Sequence, residues 1–163
     1  MKITHITPEN AEEYTELVKN MKTFVKIFSP GCGHCQHMKA DWEKLEDSAK
    51  NMAGEIQLMD IHADALDKID DKRFNVSGFP TILLLDKEGN EEKQYTGDRS
   101  HADMLEFLKS EINNLKKEVS TLKRGKRISG GKKSKKNKSK KKKSKKKKSK
   151  KKKSKKKKTK KST

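Results

Sequence analysis

Ser29-Pro30-Gly31-Cys32-Gly33-His34-Cys35 holds both cysteines of this 163-residue chain. It lies between an apolar run, Phe24-Val25-Lys26-Ile27-Phe28, and a helical pattern that starts at Cys32. The near-continuous apolar character from Thr23 to Ser29 predicts a strand covered on both faces. Downstream, Met38, Trp42, Leu45 and Ala49 repeat on one helical face, and the helix is expected to reach about Met52, with Gly54 as its stop. A cysteine in the first turn of a helix meets unpaired N–H groups and the positive end of the macrodipole. Both favour the thiolate, the nucleophile of disulfide exchange. Cys35, one turn further on, can close a small disulfide with Cys32, which makes the pair a reversible two-electron switch. Two cysteines so spaced also serve as half of a zinc site. Zinc takes four ligands, no second cysteine pair exists, and a mixed site would have to recruit distant histidines.

Working outward, Ile3 to Ile6 reads as a short strand. Thr7-Pro8-Glu9 reads as a helix start, with threonine as cap and proline in the first turn; that helix runs through Tyr14, Leu17 and Val18. Ile56 to Ile61 reads as a strand and the acidic stretch Asp64 to Phe74 as a helix. Thr81 to Asp86 is a strand, Lys87-Glu88-Gly89-Asn90 its turn, and Glu91 to Thr96 an antiparallel edge. Ser100 caps a last helix that faces the core through Met104, Leu105, Leu108 and Ile112. Leu115, Val119 and Leu122 continue the spacing, either as an exposed extension covering little core or as a weak helix–helix surface. Gly125 is expected to break the helix and Gly130-Gly131 to form a hinge. Strands alternating with helices in this way fit an α/β fold with a mixed central sheet.

Three segments carry a resemblance. Cys32-Gly33-His34-Cys35 resembles the active site of protein disulfide isomerase catalytic domains, which belong to the thioredoxin family. Val76-Ser77-Gly78-Phe79-Pro80-Thr81 is similar to that family's cis-proline loop, and Tyr95-Thr96-Gly97-Asp98-Arg99 to its Tyr-x-Gly-x-Arg segment. The resemblance spans roughly the first 112 residues, the size of one domain. It implies a thioredoxin fold and thiol–disulfide exchange on protein cysteines, with no cofactor beyond the two thiols. Cys32 is then the nucleophile and Cys35 the resolving thiol. His34, as imidazolium, would stabilise the Cys32 thiolate and make the disulfide a better oxidant; the plain alternative is a solvated loop histidine. Gly31, Gly33, Phe79 and Pro80 form the substrate-binding rim. A cis Pro80 would turn the Phe79 backbone toward an extended substrate chain. Arg99 matches the family's arginine that approaches the resolving cysteine and lowers its pKa, or is simply a surface cation. His37 reads as a solvated helix residue, and His5, His62 and His101 belong to no constellation.

The chain departs from the family pattern at three positions. Gly31 replaces a tryptophan, which removes an aromatic wall. Ala40 replaces a helix proline, which leaves the helix straighter. Lys26 replaces the buried carboxylate that serves as proton acceptor for the resolving thiol. A charged lysine accepts no proton and would instead favour thiolates and a more oxidising couple. Driven neutral by burial, it would act as the base. It would do neither if it snorkels to water.

Charge divides the chain. Residues 1–124 carry 18 Lys and Arg against all 23 Asp and Glu, a net of −5, whereas residues 125–163 carry 25 Lys and Arg and no acid. Ser139, Ser144, Ser149, Ser154 and Thr159 recur every five residues between lysine blocks. This spacing forms no helical stripe and offers nothing to bury, so a disordered tail is expected. The organisation read from this is a domain over 1–112, a helical extension over 113–124 and a lysine-rich tail over 125–163. The tail, through lysines such as Lys132, Lys133, Lys140, Lys145, Lys150 and Lys155, is expected to bind polyanions by counterion release without reading sequence. Nucleic acid, an anionic membrane, an acidic protein or an import receptor would serve, and phosphorylation of the repeated Ser and Thr would weaken the grip. No apolar run of about 18 residues is present, so no membrane span is indicated. The N-terminus reads without an apolar leader and the C-terminus without a retention signal. The expectation is therefore a monomer in the cytoplasm, the nucleus or a packaged particle. The combination of one such domain with a lysine tail is similar in style to proteins encoded by large DNA viruses. The competing reading is a polyanion-binding module whose redox site is vestigial.

Overall fold

The structure, a computed structural model, describes residues 1–52, 54–70 and 73–129, with side chains to residue 122. Met1–Val119 form one compact unit, and a second begins at Ser120. The sheet of the first unit is built around β2, Lys22–Phe28. On one side β2 pairs in parallel with β3, Ile56–His62, from Lys22↔Ile56 to Phe28↔His62. On the other it pairs antiparallel with β4, Thr81–Leu85. β1, Ile3–Ile6, lies parallel outside β3, and β5, Glu91–Gln94, lies antiparallel outside β4. The strand order is β1-β3-β2-β4-β5, a mixed sheet as expected for a thioredoxin fold.

Alternation along β2 puts Phe24 and Lys26 on one face and Val25 and Ile27 on the other. The Phe24 face receives α2, Gly33–Lys50, and α3, His101–Ser129. Phe24 there packs with Met38, Trp42 and Leu45 from α2 and Met104, Leu108 and Ile112 from α3. The Phe24 and Trp42 rings stack at 5.9 Å. Each such side chain withdrawn from water contributes about 1.5–3 kcal/mol. The opposite face is covered by Tyr14 and Val18 near the N-terminus and by Ala65 and Ile69 after β3. Among the described residues, helices thus cover both faces.

Two helices expected from the sequence are shorter than read. The first does not start at Thr7-Pro8-Glu9. Asn10 Oδ1 accepts the Thr7 N–H at 2.7 Å, and Asn10 Nδ2 donates to the His5 carbonyl at 3.0 Å. That side-chain turn delays the helix: a 3-10 turn covers Ala11–Glu13 and α1 only Tyr14–Leu17. The acidic segment after β3 forms a 3-10 helix over Ala63–Lys68, not a helix from Asp64 to Phe74. Its apolar residues seat Ala65 and Ile69 in the core, with Leu66 and Phe74 packed against them.

At the C-terminal end, Ser100 caps α3 as expected, its Oγ accepting the Asp103 N–H at 3.3 Å. Leu115 is core, packed in the Phe24 cluster, so the core-facing stretch extends past Ile112. Val119 and Leu122 are exposed at 47% and 71%. The helix continues through Gly125 to Ser129, where a break was expected. The expected hinge at Gly130-Gly131 and the tail lysines Lys132 to Lys155 lie outside the described residues.

Candidate active site

The end of β2 delivers the chain through Ser29-Pro30-Gly31 to Cys32, which caps α2 with extended backbone (φ −84°, ψ 117°). The Cys32 N–H donates to the Ser29 carbonyl at 3.1 Å, and the Gln36 N–H donates to the Cys32 carbonyl at 3.1 Å. Cys32 Sγ accepts the Cys35 backbone N–H at 3.3 Å. Both cysteines are free thiols; Cys32 is half-buried and Cys35 buried. The expected placement, one thiol at the mouth of the helix and one behind it, is what the structure has.

The two thiols are pushed apart. Cys32 ionises more easily than an ordinary cysteine, chiefly through its hydrogen bond with the Cys35 side chain. The backbone N–H groups of Cys35 and His34 and the charge of Arg99 add to this, against some desolvation. Cys35 is pushed up, first by burial and then by its hydrogen bond to Cys32; the Lys26 charge opposes the rise. A more accessible, easily ionised thiol beside a protected one is the asymmetry that directional disulfide exchange requires.

Across the site, the Phe79–Pro80 peptide bond is cis, and the Cys32 thiol donates to the Phe79 carbonyl at 3.3 Å. Phe79 is exposed (38%) beside buried Pro80. Gly31 and Gly33 stand in open space, with nothing within 4 Å of where a Cβ would project. No wall therefore rises at Gly31. His34 is exposed and lines a shallow groove with His37, Asp41, Asp98 and Arg99. The charge of Arg99 acts on Cys32, where it favours the thiolate.

The Tyr95-Thr96-Gly97 segment has a packing reason for its glycine. The Tyr95 hydroxyl donates to the Asp103 carboxylate, and a Cβ on Gly97 would come within 2.7 Å of the tyrosine oxygen. Burial and the neighbouring Asp103 raise the Tyr95 phenol far above its usual range.

Lys26 is buried. It is 8% exposed, and its Nζ lies 3.5 Å from Asp60 Oδ2, 4.6 Å from the Trp42 ring centre and 4.7 Å from that of Phe28. Desolvation lowers its pKa, while Asp60, Glu46 and Cys35 work to restore it. A cavity of about 480 Å³ joins Lys26 to Cys35, Trp42, Glu46, Asp60 and His5. The sequence reading missed Asp60 and left His5 without a constellation; the structure pairs them, His5 Nδ1 lying 3.0 Å from Asp60 Oδ1. Among the described residues, His5, Glu46 and Asp60 bring ligand atoms within 4.8 Å of one another. The positive charge set against these acids is the Lys26 ammonium.

A profile of the Thioredoxin family matches residues 5–110, and the chain belongs to that family. Among its relatives, protein disulfide-isomerase like 2-2 of Arabidopsis thaliana is 33% identical over 105 residues, covering 63% of this chain and 23% of the relative. Protein disulfide-isomerase 2-3 of the same plant is 35% identical over 105 residues, again 63% and 23%. The chain thus spans less than a quarter of the length of either. Human ERp44 superposes with a TM-score of 0.56 at 20% identity, over 66% of this chain and 29% of that one. The J-Trx1 fragment of ERdj5 does so at 0.52 and 18%, over 68% and 52%. These two likenesses speak to the fold. Among the described residues no helix is long and apolar enough to cross a membrane.

Proposed function

We propose that this chain is a protein disulfide isomerase-like thiol–disulfide oxidoreductase acting on cysteines of polypeptide substrates. The observation that carries this is the Cys32–Cys35 pair: a half-buried thiol with lowered pKa, accepting the N–H of a buried partner whose pKa is raised. The Cys32 thiolate attacks a substrate disulfide; a Cys32–substrate bond forms, and the first substrate sulfur leaves as a thiolate. Cys35 then gives up its proton and attacks Cys32 Sγ. The Cys32–Cys35 bond forms and the second substrate thiolate leaves, so two electrons have passed from protein to substrate. The reverse sequence oxidises. No cofactor takes part.

Phe79 and Pro80 offer an extended substrate a backbone edge beside Cys32, and open Gly31 and Gly33 let a bulky chain approach. Arg99 and the His34 backbone N–H favour the attacking thiolate. Lys26 favours the Cys35 thiolate from below. The lysines from Lys132 to Lys155 anchor the enzyme to polyanions. The test is Cys35→Ser: a working enzyme accumulates mixed disulfides on Cys32 that reducing agent releases. A chain that accumulates none is the alternative, a binding module with a vestigial redox site.

A further inference from the structure

His5, Asp60 and Lys26 are in register on three adjacent strands: His5↔Asp60 across β1 and β3, Lys26↔Asp60 across β3 and β2. Alternation puts all three on the face that carries α2. They form a row of polar groups in an otherwise apolar layer, running from the sheet's outer strand to a point beneath the redox helix. At the outer end the His5 side chain is 57% exposed; Asp60 is 14% exposed and Lys26 10%. The cavity that takes in all three also takes in Cys35.

We propose, resting on the exchange reading above, that Asp60 takes the Cys35 proton during resolution and that His5 holds Asp60 in place for it. A buried thiol needs a proton acceptor in order to attack, and the ionisable groups facing this cavity are few. Lys26, as an ammonium, has three donors and no acceptor. Glu46 Oε1 already takes the Trp42 indole N–H at 2.7 Å. Glu43 and Lys39 sit on the exposed side of α2 and stand 3.9 Å apart. Asp60 is the carboxylate on the sheet side, with Oδ1 turned to His5 and Oδ2 to Lys26.

The step balances. The Cys35 S–H bond breaks and the proton joins the Asp60 carboxylate. The sulfur's electron pair forms the bond to Cys32 Sγ, and the Cys32–substrate bond breaks with its pair leaving on the substrate thiolate. Asp60 then returns its proton to water at the His5 edge. Lys26 Nζ, 3.5 Å from Oδ2, is the counter-charge beside Asp60.

The test mixes reduced full-length protein with the chromogenic disulfide dithiobis(nitrobenzoate) in a stopped-flow instrument. Attack by Cys32 releases one thionitrobenzoate in a bimolecular phase, and resolution by Cys35 releases the second in a unimolecular phase. Asp60→Asn is expected to slow the second phase about 100-fold and leave the first within twofold. Added formate should restore the second phase of Asp60→Asn in proportion to its concentration and leave the natural protein's rate unchanged. His5→Ala should slow the second phase several-fold, and His5→Gln, which keeps an N–H donor, should not. The proposal is overturned by a normal second phase in Asp60→Asn, by a slow one that formate does not restore, or by Glu46→Gln slowing it as much. If Asp60→Asn fails to fold, exposed His5 decides: equal second phases in His5→Ala and the natural protein overturn it. Absence of the first phase in the natural protein refutes the exchange reading itself.

Discussion

Removing either member of the Lys26–Asp60 pair should cost far more than removing both in proportion. Unit charges 3.5 Å apart attract by about 5 kcal/mol at an effective dielectric near 20. Desolvating two charges takes back most of that, which agrees with the lowered pKa of Lys26. The net worth of the pair is therefore small, but breaking it leaves one ionisable group in the cavity without its partner. Such losses run to about 3 kcal/mol or more. Lys26→Met and Asp60→Asn should each destabilise the reduced protein by about 3 kcal/mol, and Lys26→Met with Asp60→Asn by no more than either alone. The coupling energy is then about 3 kcal/mol. Urea unfolding at pH 7, read as midpoint shifts at constant slope, measures all four corners of the cycle. Single losses that add to within about 0.5 kcal/mol would refute the reasoning, because residues that do not couple are not paired in the folded chain.

Alkylation against pH should find Cys32 ionising below the roughly 8.5 of a free cysteine and Cys35 above it; faster alkylation of Cys35 at neutral pH reverses their roles. Lys26 is depressed in the folded state, so the unfolded chain holds the extra proton over the window that ends near its ordinary value of about 10.4. Stability should accordingly gain an increment as pH rises through that window, and Lys26→Met should lack it. Gly97→Ala should destabilise the protein by about 1–3 kcal/mol in thermal or urea melts, since its Cβ would crowd the Tyr95–Asp103 contact; an unchanged melting curve would mean that the contact yields freely. Truncation after Arg124 should leave both phases of thionitrobenzoate release intact and abolish low-salt retention on heparin or DNA; loss of either phase would tie the tail to the chemistry.

What the sequence disclosed is what local patterns encode. β2 and α2 were legible because an apolar run meets a cysteine cap and a helical stripe through Met38, Trp42 and Leu45. The cis bond at Pro80 followed from family resemblance alone. The start of α1 was misread because Asn10 and Thr7-Pro8-Glu9 compete for the same backbone groups, and the asparagine turn wins. Asp60 and His5 were invisible as site residues because only strand register joins them to Lys26. A signal did exist. Asp60 interrupts the apolar run of β3 just as Lys26 interrupts that of β2, and opposite charges breaking two buried strands are expected to find each other.

β5 borders the sheet with Glu91-Glu92-Lys93-Gln94, all four exposed. Lys22 reaches Glu92 at 2.6 Å and Lys93 reaches Glu111 at 2.7 Å, so some of these charges are also tethered. Under the proposed exchange function, extended substrate segments meet the sheet, and an open sheet edge is where they would stick. Charged side chains along β5 make that border inhospitable. Under that proposal the docking edge is the backbone beside Phe79, whose carbonyl lies 3.3 Å from the Cys32 thiol.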